Sequence, residues 1–369
     1  MATELGKALA NEGHQIHFIT YSQPVRLDYF SENIFYHEVS FPNYPLFEYP
    51  PYELGLASKL VDVALYENLD LFHVHYAIPH ASAALLAQQI LKGKGRYVPF
   101  ITTLHGTDIT LLGKDSTLEP VITYALSHSN GITAVSESLK QDTYRHFGVR
   151  KEIHVIPNFV NNLEYAKIRE KESEMINMHR KAFAPNGEKI VVHTSNFRKV
   201  KRVEDVVHTF KGIREKLPAR LLLIGDGPER SNIEKLCRET NMCEDIKFLG
   251  KVVSPEQYLM IGDLFLLPSS TESFGLAALE AMAAGMPVVS TNTGGLPEVN
   301  RHGITGFLSD VGDVDSMIKG SLEILRNPDL HEKMKMNALH QAQQFDISRI
   351  VPLYIGLYNT IREKAGLFS

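Results

Sequence analysis

Short apolar runs rich in β-branched and aromatic residues recur along the whole chain, separated each time by a segment of helical period. In the first half they read HQIHFIT, NIFYHEV, DLFHVHY, PFITTLH, GITAVS and IHVIP; in the second, KIVVHTS, ARLLLIGDG, DIKFLG, DLFLLP and MPVVST. Strands that alternate with helices pair in parallel, because each helix carries the chain back to the same end of the sheet and then covers one face of it. Two such series predict two doubly wound, Rossmann-like α/β domains. The 369 residues agree, since one core rarely serves so long a chain.

Between the two series, PNFVNNLEYAKIREKES carries Pro157, Asn158, Asn161 and Asn162 and then turns highly charged. That composition places a hinge linker near residues 158 to 165, with one domain over 1–158 and the other over 159–346. From Ser348 to Ala365 the apolar residues Ile350, Leu353, Tyr354, Leu357, Tyr358 and Ile361 fall at helical spacing. A terminal helix over 347–369 with so wide a stripe must pack on something. The chain opens on a helix, Thr3 to Asn11, then Gly13 and a strand. A doubly wound domain normally begins with a strand, so a first strand and the loop that would lead into this helix are expected to precede Met1.

Composition excludes some functions. Net charge is −5 and the pI near 6.4, which gives no basic field for nucleic acid. Cys237 and Cys243 stand without a second pair to complete a metal set, so free thiols in a reducing compartment are expected. No apolar run is long enough for a membrane span and no signal peptide is seen, so a cytoplasmic location is expected.

In open α/β sheets, ligands sit beyond the carboxyl ends of strands. DLFLLPSS ends one strand and TESFGLAALEAMAAG follows it, with Gly285 and Pro287 closing the helix. Glu272 then lies in the loop and Glu280 inside the helix. The amides of Phe274, Gly275 and Leu276 would be unpaired donors at a helix start, which suits a phosphate. The other reading, Glu272 as a helix cap and Glu280 as a solvated position, stays open on spacing alone. Upstream, HTSNFRKVKRVEDVVHTF puts Arg198, Lys199, Lys201 and Arg202 ahead of a helix beginning near Val203. Cations oppose the dipole there, so a bound diphosphate is the sharper reading and a solvated basic turn the other. IGDGPER is a weaker glycine turn. In the first half, His105 in TTLHGTDIT is the candidate hydrogen-bond donor to a substrate, while His73, His75 and His80 read as satisfied loop residues. Asp313 and Asp315 form a DVD at a helix start, where capping wins over metal binding. No G-x-S-x-G and no P-loop is present.

Taken together, these residues resemble the retaining GT-B glycosyltransferases of family 4. TESFGLAALE is similar to that family's E-x7-E element, FRKVK to its basic diphosphate loop, and GDGPE, GGLPE and TGFL to the turns around them. FEYPPYELGLASKL, HVHYAIPHA, TTLHGTDIT and SNFRKVKRVEDVV resemble more narrowly a branch that begins bacillithiol biosynthesis. The resemblance implies two Rossmann-like domains facing across a cleft, the second binding the nucleotide sugar, with the last helix crossing back to the first. It implies transfer of GlcNAc from UDP-GlcNAc to the hydroxyl of L-malate, with retention by front-face attack and no metal or other cofactor. Carried over, Arg198 and Lys201 would hold the diphosphate and stabilise the leaving UDP. Glu280 would bind ribose, and Glu272 with Ser273, Phe274, Gly275 and Leu276 would hold the sugar and β-phosphate. His105 would contact the donor sugar, and Tyr76 and Thr103 would help hold malate. The family's Gly-rich first loop touches both substrates, so its absence ahead of Met1 leads us to expect impaired activity. A lipid or glycan acceptor and a catalytically impaired UDP-binding protein are the alternatives. Nucleic acid and membrane are not expected partners, and the oligomeric state, a homo-oligomer included, is left open.

Overall fold

The computed structural model describes residues 1–24, 27, 31–40, 49, 51–110 and 117–366. Residues 47, 48 and 50 of FEYPPYELGLASKL lie outside them. The chain forms two units, Met1–Asn158 with Ile347–Ser369, and Phe159–Asp346.

The first unit runs α1 (Ala2–Asn11), β1 (Ile16–Thr20), β2 (Ile34–Glu38), α2 (Tyr52–Tyr66), β3 (Phe72–His75), α3 (Ser82–Gly93), β4 (Phe100–Leu104), α4 (Thr107–Thr110), α5 (Glu119–His128), β5 (Gly131–Ala134), α6 (Glu137–His146) and β6 (Ile153–Val155). All its strand pairs are parallel, β3-β4-β5-β6 in one sheet and β1-β2 in another. The central strands FITTL and GITA are buried at every position, so they read as continuous runs rather than alternating ones.

The second unit runs α7 (Asn162–Lys171), α8 (Ser173–Phe183), β7 (Lys189–Thr194), α9 (Val203–Arg214), β8 (Ala219–Ile224), α10 (Arg230–Glu239), β9 (Ile246–Gly250), α11 (Glu256–Leu259), β10 (Leu264–Leu267), α12 (Leu276–Ala284), β11 (Val288–Thr291), α13 (Leu296–Val299), β12 (Gly306–Ser309), α14 (Val314–Arg326) and α15 (Pro328–Gln344). Its parallel sheet is ordered β12-β11-β10-β7-β8-β9. On one face Val191, Leu221, Leu223, Leu264 and Leu266 meet Val206, Phe210, Ile213 and Ile324. Ser136, Asp313 and Asn327 cap α6, α14 and α15 through their side-chain oxygens, so Asp313 is a cap. β12 lies outside the strands read from the sequence. With four residues, a leading glycine and a closing serine, it carries little pattern.

The two crossings between the units leave the second one side by side. Val160 donates to the Phe345 carbonyl at 3.0 Å, and Asn162 binds the Asp346 carboxylate through both its backbone and its amide. The last helix, α16 (Ile347–Gly366), belongs to the first unit, where it packs near α1. It buries Ile350, Val351, Tyr354 and Ile361, while Leu353, expected inside, is 48% exposed. Gly131 makes room for it, because a Cβ there would lie 2.6 Å from Ile361 Cδ1. Among the described residues, no helix is long and apolar enough to cross a membrane. Truncating Ile361 to Ala leaves a cavity against Gly131 that the strand backbone cannot fill. The variant is expected to lose about 2–4 kcal/mol, seen as an earlier urea midpoint at unchanged slope.

Candidate functional site

Numbered along the second unit, its strands follow the order 3-2-1-4-5-6. The chain winds outward from β7 to β9, returns, and winds outward the other way from β10 to β12. Loops leaving β7 and β10 therefore diverge from neighbouring strands, and the space between them is the crevice where such sheets take ligands. The loop after β7 is Ser195–Arg202, the basic cluster; the loop after β10 is Pro268–Gly275, which leads into α12.

The two loops are bound to each other. Lys201 Nζ meets Glu272 Oε1 at 2.5 Å, and Ser269 Oγ donates to the same oxygen at 2.9 Å. Ser270 N–H donates to the Val200 carbonyl at 2.8 Å. Arg202, in the left-handed region at φ 47°, pairs with Asp205 in the first turn of α9 at 2.6 Å. Local acids thus answer two of the four cations that the sequence presents as a cost to the helix. Arg198 remains exposed at the head of the short 3-10 turn Lys199–Lys201, and its carbonyl accepts from the Lys201 N–H.

Helix α12 begins at Gly275, with φ 93°, and no side chain caps it and no acidic residue stands in its first turn. Its leading N–H groups and the positive end of its dipole are left for a ligand. Phe274 anchors the turn, buried edge-to-face against Phe345 at 5.6 Å. Glu280 sits in the second turn of α12, half-buried, and Ser273 and Leu276 flank the start.

Glycines let the neighbouring loops close in. A Cβ on Gly225 would lie 1.8 Å from the Ser195 carbonyl, one on Gly227 2.0 Å from that of Asn196, and one on Gly294 1.8 Å from that of Glu272. GDG and GGLPE therefore hold the basic loop and the Glu272 loop from behind, by contact with their backbones. His193 carries no signal in the sequence pattern. Buried in β7, its Nδ1 faces the Leu266 carbonyl at 2.8 Å and its Nε2 faces Ser195 Oγ at 2.8 Å. Burial lowers its pKa to about 4, so a neutral ring donates to strand β10 and accepts from the serine that opens the basic loop.

In the first unit, Tyr76 and His105 come together at the carboxyl ends of β3 and β4, ring centroids 5.0 Å apart. Tyr76 adopts φ 78°, a conformation rare for a non-glycine residue and a sign of a constrained site. Its N–H donates to the Thr103 carbonyl at 2.8 Å, and the next amide, Ala77, to Asp108 Oδ2 at 2.7 Å. Buried Asp108, which stands beside His105 in the sequence, further accepts from Gly106 at 3.0 Å and so ties the HGTD turn to the tyrosine turn. His105 Nε2 lies 2.8 Å from His75 Nδ1, and burial lowers both rings, His105 to about 4. Thr103 is fully buried, its hydroxyl held by His73 Nε2 and Thr133 Oγ1, each at 2.6 Å. Its hydroxyl therefore supports the site from inside the sheet. His73 Nδ1 in turn reaches Tyr358 of α16 at 2.7 Å.

The profile of the group 1 glycosyl transferases matches residues 174–341 and that of glycosyltransferase family 4 matches residues 1–162. The N-acetyl-alpha-D-glucosaminyl L-malate synthase of Bacillus anthracis is 44% identical over 97% of this chain and 92% of its own length. Among solved structures, a glycosyltransferase from Rickettsia africae superposes with a TM-score of 0.79 at 20% identity, over 97% of this chain and 93% of that one. Anabaena HepE in complex with UDP gives 0.74 at 20% identity, over 94% and 100%.

Two measurements test this geometry. His73 is pushed down to about 3 by burial, well below the usual histidine value. As pH falls through about 6.5 the unfolded chain takes up a proton that the folded chain refuses until about pH 3, so stability drains away across that window. The wild type is expected to lose stability from pH 7 to pH 4.5 more steeply than His73→Gln, measured by urea unfolding; equal slopes would mean that the ring is not held neutral. The Lys201–Glu272 pair is mostly buried, with side chains 21% and 12% exposed. A double-mutant cycle of Lys201→Met and Glu272→Gln is expected to show a coupling of about 1–3 kcal/mol in urea, whereas a value near zero would place the two groups apart.

Proposed function

The chain belongs to glycosyltransferase family 4 and has the α/β GT-B fold, and from that premise we propose that it moves GlcNAc from UDP-GlcNAc to the hydroxyl of L-malate with retention of the α configuration. One observation carries the choice of substrates: 44% identity along nearly the whole chain to a protein named for that product. The site supports the reading with groups of the required kind.

In this reading the diphosphate lies against the uncapped start of α12, where amides 274 to 276 and the helix dipole meet its charge. Lys201 and Arg198 bind it from the facing loop. Lys201 is already held beside that position by Glu272, so donor binding exchanges one anion for another around a placed ammonium. Glu272, released from the lysine, accepts hydrogen bonds from sugar hydroxyls, and Glu280 accepts from ribose. His105 contacts the donor sugar as a neutral ring. Tyr76 contacts malate, and Thr103 positions Tyr76 through its carbonyl.

The chemistry needs no protein nucleophile. The bond from sugar C1 to the β-phosphate oxygen breaks, a bond from C1 to the malate hydroxyl oxygen forms on the same face, and the hydroxyl proton passes to the departing phosphate. Lys201 and Arg198 offset the charge that grows on that phosphate. In this reading no metal takes part, and Lys201, Arg198 and the start of α12 take up the developing charge instead.

The assay is UDP release from UDP-GlcNAc with no divalent metal added and EDTA present. Release is expected to depend on L-malate and to give the α-anomer by proton NMR. Lys201→Ala is expected to lower kcat by about 10²–10³-fold, the range seen when one preorganised charge-stabilising group is removed. Turnover indifferent to malate would sink the acceptor assignment, and UDP binding by calorimetry with no turnover would support an impaired enzyme instead.

A further inference from the structure

His17, His37 and Glu67 each offer one ligand atom, and these atoms all lie within 4.8 Å of one another. None of them belongs to the transfer chemistry. We propose that they form a binding site for a zinc-class divalent cation that pins the β1-β2 sheet to the end of α2.

The backbone creates the cluster. In the parallel register of β1 and β2, His17 pairs with Phe35 and His37 with Ile19. Side chains two residues apart share a face, so His17 and His37 are diagonal neighbours on one side of the sheet. That is the side α2 covers, since Ile19 packs against the core cluster that holds the α2 residues Leu56 and Leu60, and β1 contacts α2. The rings stack with centroids 5.2 Å apart, and His17 Nδ1 faces His37 Nε2 at 2.9 Å. Glu67 follows the last turn of α2 as its C-cap.

Two physical features favour a cation here. Glu67 places a carboxylate at the negative end of a helix dipole, an unfavourable position that a bound cation offsets. The two facing nitrogens share one proton, so a cation entering between them takes both as ligands once that ring shifts its proton to its other nitrogen. Two imidazoles and a carboxylate suit zinc, cobalt or nickel rather than magnesium or calcium, which favour all-oxygen shells. Zinc–nitrogen bonds of about 2.0–2.1 Å in a tetrahedron hold the two nitrogens about 3.3 Å apart, so the rings open by about 0.4 Å, and the Glu67 carboxylate, within 4.8 Å, closes in by a side-chain rotation. All three side chains are half-buried, which leaves a fourth position for water.

The test uses the full chain, stripped with EDTA, desalted and titrated with Zn2+ by calorimetry and with Co2+ by visible absorption. The wild type is expected to bind one equivalent, to show the d–d bands of a four- or five-coordinate Co2+, and to gain thermal stability with added Zn2+. His17→Gln, His37→Gln and Glu67→Gln are each expected to weaken binding by at least tenfold, because even outer-shell changes weaken metal sites by about 10–100-fold. Circular dichroism and UDP binding identify variants that keep the fold, and the comparison is made on those. Absence of a saturable one-equivalent site overturns the proposal. So does binding that stays unchanged in the variants, which would place the ion at another of the 16 histidines.

Discussion

The second unit depends on backbone-to-backbone contact at three glycines. Gly225, Gly227 and Gly294 each stand where a Cβ would sit 2.0 Å or less from a carbonyl oxygen of the basic loop or the Glu272 loop. No side chain can be accommodated at such distances, and Gly225 and Gly294 also adopt left-handed φ values of 118° and 56°. The consequence is a pair of loops whose main chains are fixed from behind by neighbouring strand ends. Between those loops stand the uncapped start of α12 and the Lys201–Glu272 pair.

That arrangement follows from strand order. The sheet reverses between β7 and β10, so the loops after those two strands separate and leave a crevice, while the loops after β8 and β11 fold in beside them. His193 links the two central strands below the crevice and takes the Ser195 hydroxyl above it. A neutral buried ring suits this post, because it can donate on one side and accept on the other without carrying charge into an apolar sheet.

Much of this was legible in the residues. The alternating runs identify the strands from β1 to β11, and glycine with helical spacing locates the start of α12. The basic cluster announces itself by standing against a helix dipole. Its local compensation was hidden, because Lys201–Glu272 spans 71 residues and only the folded sheet brings those loops together. His193 was hidden for a different reason, since its segment's apolar pattern is complete without it, and the role of Asp108 beside His105 likewise comes from hydrogen bonds to backbone atoms that a sequence does not place. Thr103, given an acceptor contact only by the family resemblance, has its side chain buried in the sheet, while its carbonyl accepts from the Tyr76 N–H.

The Lys201–Glu272 pair bears on how such a crevice stays ready for an anion. An ammonium left alone in a half-buried loop would swing out to water, and each encounter with ligand would then carry the entropy of fixing a flexible side chain, up to about 2 kcal/mol for lysine. Holding it with a carboxylate removes most of that loss in advance. The carboxylate is a weaker competitor than a diphosphate, which brings more charge and more acceptor oxygens to the same ammonium and to the open amides of α12 at once. The exchange therefore favours the ligand, and it leaves Glu272 beside the new occupant with an acceptor to spare. In the proposed reading, a glutamate that first places the lysine and then receives a sugar hydroxyl accounts for why an acid belongs in this loop.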